Sequence, residues 1–184
     1  MNKEIENLDK LFRLRKFEEV ITQSKKLIQG RNVTPIIYNL RGISFENIGK
    51  NHKAVKNFED AIKKNPNEVS YYSNIARILI KQGKINKAEN YLNSALEIKN
   101  DHIFSLFEFG KLKRVQKKFD IALEYFEKVY KINPKFPEAL FNIGKSYTEI
   151  FQDTGEAKFE ELSKKNLLEC SRLFPDTLDA DFLL

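Results

Sequence analysis

The chain has 184 residues, a formal net charge of +6, two histidines and one cysteine. A single cysteine excludes a disulfide within the chain and is typical of a reducing compartment, so we expect a cytoplasmic protein. No apolar run reaches the roughly 20 residues of a membrane-spanning helix, and the charged N-terminus lacks the apolar stretch of a signal peptide. The sequence therefore predicts no contact with a membrane.

Small, aromatic and apolar residues recur along the chain with a period of 34 residues. In residues 35–68 they are Tyr38, Gly42, Phe45, Gly49, Ala54, Phe58, Ala61 and Pro66. One period later they are Tyr72, Ala76, Leu79, Gly83, Ala88, Leu92, Ala95 and Asn100. The following copies keep Leu106, Gly110, Ala122, Phe126 and Pro134, and then Leu140, Gly144 and Tyr147. The first copy is the weakest, with Leu8, Leu11, Phe17, Val20 and Leu27 in place. Such a period indicates stacked copies of one structural unit.

Within each copy, apolar residues recur at every third and fourth position, which is the spacing of amphipathic helices. Each copy is therefore predicted to be two helices joined by a turn at Gly49, Gly83 or the equivalent Lys117. Pro66 and Pro134 are expected to end second helices, because proline cannot continue the hydrogen-bond ladder. We place the hairpins at about residues 1–34, 35–68, 69–102, 103–136 and 137–176, as one domain over residues 1–176. Residues 177–184 are either a tail or the start of a further helix.

The pattern resembles the tetratricopeptide repeat, a 34-residue hairpin of helices with the same order of aromatic, Gly, Ala, Phe and Pro positions. The resemblance implies an all-α fold, a right-handed α-solenoid of five tandem helix-turn-helix repeats with one continuous core. Two features depart from the pattern. Arg114 lies where an apolar side chain is usual, and the fifth copy carries about seven extra residues after Tyr147. There we expect a long loop around residues 152–155 or a lengthened second helix.

Few residues in the chain could carry out chemistry. His52, His102 and Cys170 do not have the spacing of metal ligands, and no glycine-rich loop is followed by Lys-Ser or Lys-Thr. Cys170 takes the position of Ala61 and Ala95, which predicts a buried, unreactive core residue. We predict no catalytic residue, no metal and no cofactor, and a protein that is not an enzyme.

In a tetratricopeptide solenoid, the first helix of each copy lines the concave face, so the resemblance implies that a partner binds there. The position of Arg77 holds Asp9, Ile43, Arg77, Lys111 and Lys145 in successive copies, and we call its three cations the basic ladder. An extended acidic peptide would meet one cation about every third residue. The residues predicted to bind it are Asn39, Asn74, Arg77, Lys81, Phe107, Lys111, Arg114, Phe141, Asn142 and Lys145. The predicted function is a protein-protein interaction module for an extended, acidic partner segment.

Other functions stay open. Residues 1–136 carry 27 Lys and Arg against 16 Asp and Glu, and their basic charge could bind nucleic acid. The densest basic cluster is Lys111, Lys113, Arg114, Lys117 and Lys118. The excess of 25 lysines over 7 arginines disfavours nucleic acid, since arginine is the usual reader of phosphates and bases. The chain also resembles repeat arrays that precede sulfotransferase or glycosyltransferase domains in bacteria, which implies the non-catalytic arm of a larger enzyme. The acidic, apolar residues 177–184 could instead dock in a basic groove of the same chain or cause self-association.

Members of the family that bind the tails of heat-shock chaperones use a clamp of Lys, Asn, Asn, Lys and Arg on three successive first helices. Those positions hold Asn39, Ile43, Asn74, Phe104 and Glu108 in this chain. Only Asn74 matches the clamp. The resemblance therefore disfavours a receptor for chaperone tails.

Overall fold

The structure is a computed structural model that describes residues 3–30 and 33–175. These ranges contain ten α-helices and no strand. The helices are α1 (Lys3–Arg13), α2 (Phe17–Leu27), α3 (Pro35–Asn47), α4 (Asn51–Lys64), α5 (Val69–Lys81), α6 (Ile85–Ile98), α7 (Ile103–Val115), α8 (Phe119–Ile132), α9 (Pro137–Thr154) and α10 (Ala157–Leu173). The predicted all-α fold of five helical hairpins is confirmed. The predicted tail, residues 177–184, lies outside the described residues.

The contacts between helices divide the chain into two compact units, Met1–Lys99 and Asn100–Leu184. In the first unit, α2 packs against α3 and α4 packs against α5, so that each hairpin contacts the next. In the second unit, α8 packs against α9, which pairs with α10. The continuity of one solenoid over residues 1–176 stays a prediction.

Two of the hairpins close around a phenylalanine of the second helix that lies against a glycine of the first. Phe58 and Phe126 are both fully buried. A Cβ atom added at Gly42 would lie 2.7 Å from Cε1 of Phe58, and one at Gly110 would lie 2.5 Å from Cε1 of Phe126. Both distances are too short for a contact between carbon atoms. The glycines therefore let the rings fill the space between paired helices at the density of a protein core.

The turns within the first four hairpins use the left-handed region of the backbone. Gly49 and Gly83 have φ angles of 74° and 70°, whereas Arg15 and Lys117 have φ angles of 58°. The turn predicted at Lys117 is confirmed. A residue with a Cβ atom loses roughly 1–2 kcal/mol in this region, because the Cβ approaches the following carbonyl oxygen.

Replacing Lys117 with glycine is therefore expected to raise the free energy of unfolding by about 1 kcal/mol. Urea denaturation followed by circular dichroism measures the change. Lys128→Gly is the matched control, because Lys128 is an exposed residue inside α8 and has no positive φ angle. Glycine inside a helix is less favourable than other residues by up to about 1 kcal/mol and should destabilise the protein. A gain from both substitutions, or from neither, would contradict the prediction.

The extra residues of the fifth hairpin lengthen both of its helices. α9 has 18 residues and α10 has 17, against 13 in α7 and 14 in α8. Only Gly155 and Glu156 separate α9 from α10. The expected long loop is therefore wrong, and the alternative of a longer second helix is right but incomplete. A Cβ atom on Gly144 would lie 2.7 Å from the Leu167 side chain, so the close approach of first and second helix is kept.

Candidate binding surface on the first helices

Arg77 joins two first helices of the first unit. Its Nη2 donates to Oε2 of Glu46 on α3 at 2.8 Å and to Oδ1 of Asn74 at 3.1 Å. Nζ of Lys81 lies 3.8 Å from Oε1 of the same carboxylate. The side chain of Glu46 is only 9% exposed and that of Arg77 is 32% exposed. The positive charge of Arg77 is therefore balanced within the protein.

Lys111 and Arg114 of α7 are also balanced by carboxylates of their own unit. Nζ of Lys111 donates to both carboxylate oxygens of Glu108, each at 3.0 Å. Nη1 of Arg114 donates to Oδ1 of Asn142, and its Nε lies 3.2 Å from Oε2 of Glu149. Asn142 and Glu149 belong to α9. Arg114 therefore holds the two first helices of the second unit side by side.

The three predicted asparagines differ in what they can offer a partner. Asn142 is 8% exposed, and its Nδ2 donates to the carbonyl oxygen of Glu138 at 2.7 Å. The side-chain oxygens of Asn142 and Asn74 accept from arginines. Oδ1 of Asn39 is buried and has no hydrogen-bond partner among the described residues. A buried acceptor without a partner is costly, so Asn39 is the asparagine with a hydrogen-bonding position left to fill.

A phenylalanine followed four residues later by a lysine forms a pair on both first helices of the second unit. Nζ of Lys111 lies 5.6 Å from the centre of the Phe107 ring, and Nζ of Lys145 lies 5.5 Å from the centre of the Phe141 ring. Each pair has the geometry of a cation–π contact. The residues around a cavity of about 280 Å³ next to the second pair are Phe141, Lys145, Thr148, Glu149, Gln152 and Leu167.

Three phenylalanines of the second unit, Phe104, Phe107 and Phe136, form a surface that we call the aromatic shelf. The Phe136 ring lies 5.9 Å from Phe104 and 5.1 Å from Phe107, edge to face in both cases. Phe107 in turn lies 5.6 Å from the buried Phe126 ring. Phe104 is 59% exposed. The shelf therefore presents an exposed ring on a base that belongs to the core.

The sequence-based prediction missed several residues of the candidate binding surface on the first helices. The carboxylates of Glu46, Glu108 and Glu149 contact its cations. A signal for two of them exists in the spacing of opposite charges: Glu46 and Lys81 are 35 residues apart, as are Arg114 and Glu149. That spacing is one residue more than the period and places the two charges on adjacent first helices. The sequence pointed to Phe107 but missed Phe104 and Phe136, since a loop residue such as Phe136 has no periodic pattern.

Cys170 is fully buried, which confirms its predicted place in the core. Burial raises the pKa of its thiol, and Sγ donates to the carbonyl oxygen of Pro137 at 3.5 Å. Within residues 3–30 and 33–175, no group of three or more His, Cys, Asp or Glu side chains could hold a metal ion. No helix in the same ranges has both the length and the apolar character needed to cross a bilayer.

Comparisons with known proteins agree with the repeat pattern. Two protein-family models, both described as tetratricopeptide repeat, match residues 49–106 and 105–136. The chain is 28% identical over 162 residues to a TPR repeat-containing protein of Methanocaldococcus jannaschii, and 28% identical over 156 residues to Hsp70-Hsp90 organizing protein 3 of Arabidopsis thaliana. These matches cover 85% and 83% of this chain. The chain spans only 28% of the length of either relative.

A solved structure of MamA from Desulfovibrio magneticus RS-1 has a similar fold. The TM-score is 0.73, at 15% sequence identity, over 97% of this chain and 99% of that one. A likeness at this identity shows the fold alone. The repeat positions, the paired helices and the two matching family models show that residues 49–136 consist of tetratricopeptide repeats.

Proposed function

We propose that this chain is a protein-protein interaction module that binds an extended partner segment along its first helices and catalyses no reaction. One observation carries the proposal: the phenylalanine-lysine pair recurs on α7 and α9, at Phe107 with Lys111 and at Phe141 with Lys145. Arg114 contacts both helices, so the two pairs lie on adjacent elements of one unit. The relative Hsp70-Hsp90 organizing protein 3 is named for organizing other proteins, which supports this class of function.

The repeated pair suits a peptide that is both apolar and acidic. Packed helices lie roughly 8–10 Å apart, and an extended peptide advances roughly 3.3 Å per residue, so every third residue of the peptide would meet the next pair. The rings offer apolar contact of the kind that dominates interfaces, and the lysines offer charge to a carboxylate. The chemistry therefore favours aromatic or aliphatic residues with Asp or Glu beside them.

The basic ladder offers an acidic peptide less positive charge than its three cations formally carry. Arg77 and Lys111 contact the nearly buried carboxylates of Glu46 and Glu108, so an acidic peptide would have to share them. Lys145 lies over the Phe141 ring and lines the cavity of about 280 Å³ beside it. We propose that an acidic side chain of the partner enters this cavity and contacts Lys145.

Two other functions receive less support. In the basic cluster considered for nucleic acid, Arg114 contacts Glu149, and Lys117 and Lys118 line a cavity together with Asp120 and Asp153. Carboxylates at these positions would repel phosphate groups. A role as the repeat arm of a larger enzyme is compatible with the proposal, because such an arm would also act by binding.

A display library of random peptides tests the proposal. We expect enriched peptides to carry Asp or Glu next to an aromatic or aliphatic residue. Lys145→Glu should weaken the binding of such a peptide at least about tenfold, or about 1.4 kcal/mol, because carboxylates would face each other. Isothermal titration calorimetry measures the affinity, and circular dichroism verifies that the variant is folded.

Lys128→Glu is the matched control for this experiment. Lys128 also lies over a ring, that of Tyr125 at 5.4 Å, but on the second helix α8. It should keep the affinity of the unchanged chain. Equal losses in the two variants, or a library without enriched peptides, would overturn the proposal.

A further inference from the structure

We propose that the aromatic shelf is the docking site of the segment that follows α10, residues 176–184, within the same molecule. The segment combines three aspartates with four large apolar residues. They are Asp176, Leu178, Asp179, Asp181, Phe182, Leu183 and Leu184. This is the apolar and acidic chemistry that the proposed function assigns to a partner, and the proposal rests on that function only where it claims competition with a partner.

The described chain ends beside the shelf. Sγ of Cys170, near the end of α10, lies 3.5 Å from the carbonyl oxygen of Pro137 at the start of α9. Phe174 caps α10 one turn after Cys170. Phe136 of the shelf directly precedes Pro137. The end of α10 and the base of the shelf are therefore at the same end of this helix pair.

The segment is long enough to cover the shelf. Nine extended residues span up to about 30 Å. The rings of Phe104 and Phe107 lie 5.9 Å and 5.1 Å from the ring of Phe136, so the whole shelf is close to the point where the segment begins. A short tether gives a local concentration in the millimolar range, so even weak contacts would keep the site occupied.

The exposed apolar surface of the shelf and the cations near it match the apolar and acidic residues of the segment. Phe104 is the most exposed aromatic residue of the shelf, and the segment offers Phe182 and two leucines to cover it. Three exposed cations lie at the same end of the hairpins: Lys131 in the last turn of α8, Lys135 in the loop before Phe136, and Arg172 in the last turn of α10.

None of these three cations forms an ion pair with another residue in the described ranges. The carboxylates nearest to them along the chain are Glu127 on α8, Glu138 on the first turn of α9 and Glu169 on α10. Each of the three aspartates in the segment would therefore find a cation that has no carboxylate at ion-pair distance. The attraction is screened over roughly 8 Å at physiological salt, so it guides the segment while the apolar contacts hold it.

Photocross-linking in the full chain tests the proposal. Phe182 is replaced by p-benzoylphenylalanine, and the dilute protein is irradiated, digested with trypsin and analysed by mass spectrometry. We expect cross-links within one molecule, in the tryptic peptides of residues 100–111 and 136–145 that carry the shelf. Phe104→Ser should lower their yield several-fold. Ile121→Ser, at an exposed apolar residue in the first turn of α8, should not.

Three results would overturn the proposal. The first is a yield that Phe104→Ser and Ile121→Ser change equally. The second is cross-links in residues 146–172, which would mean that the segment continues the repeat as a helix against α9 and α10. The third is cross-links between molecules that grow with concentration, which would mean that a second copy is the occupant.

A separate measurement tests whether the segment competes with a partner peptide for the shelf. Phe182→Ser should strengthen the binding of a peptide from the display library several-fold, because the shelf is then vacant. An unchanged affinity would refute the competition. The cross-link reports on the segment without any partner, so the failure of this proposal is distinguishable from the failure of the proposed function.

Discussion

Replacing Phe126 with alanine is expected to lower the free energy of unfolding by about 3–5 kcal/mol, because the lost ring leaves a cavity that packed helices cannot close. The ring is fully buried and packs with Ala122 of its own helix and Ile143 of the next hairpin. Urea denaturation followed by circular dichroism measures the loss. Phe104→Ala is the matched control, since that ring is 59% exposed and its loss should cost less than about 1 kcal/mol. Similar losses in both variants would contradict the assignment of Phe126 to the core.

The glycine opposite this ring allows a test of the packing itself. Gly110→Ala should cost roughly 1–3 kcal/mol, because its Cβ would lie 2.5 Å from a carbon of the Phe126 ring. The third hairpin has Ala76 and Leu92 at the equivalent positions, and both are fully buried. Phe126→Leu should therefore recover part of the loss when it is combined with Gly110→Ala. Strictly additive losses in this double-mutant cycle would argue against a direct clash.

Replacing Arg77 with methionine is expected to lower the free energy of unfolding by roughly 3 kcal/mol, because it removes the guanidinium that lies 2.8 Å from the nearly buried carboxylate of Glu46. The figure is at the low end of the range for buried pairs, since Arg77 is 32% exposed and Lys81 stays within 3.8 Å of the carboxylate. Chemical denaturation of Arg77→Met, Glu46→Gln and the double variant measures the effect. The double variant should recover most of the loss, because no buried charge is then left in the site and the remaining cation, Lys81, is 61% exposed.

Lys128→Met is the control for this prediction. Lys128 is exposed and lies over the Tyr125 ring, so its replacement should change stability by less than about 1 kcal/mol. If Arg77→Met had as little effect as Lys128→Met, the Glu46 contact would be weak. Arg77 would then be available to a partner, as the sequence alone predicts.

The repeat, its hairpins and most of its core were predictable from the sequence because they follow from local spacing. A ring or a small residue every 34 positions must occupy the same place in each copy, and Ala54, Ala88 and Ala122 are indeed all fully buried. Pro66 and Pro134 come two residues after the last residues of α4 and α8, as expected of residues that cannot continue a helix. The insertion in the fifth copy was visible in the sequence, but its division between α9 and α10 was not. That division depends on how the longer helices pack against each other.

The sequence also identified the residue types on the first helices, and it alone determined that they repeat. It did not determine how they pair. In the sequence, Arg77, Lys111 and Lys145 occupy equivalent positions. In the structure, Arg77 contacts Glu46 on a neighbouring helix, Lys111 contacts Glu108 on its own helix, and Lys145 lines a cavity. Phe136 joins the aromatic shelf from a loop, at a position without periodic partners. Contacts between neighbouring helices decide which charges remain available and which rings stay exposed, because those contacts depend on side-chain distance and burial across adjacent helices. Periodicity along one helix specifies neither.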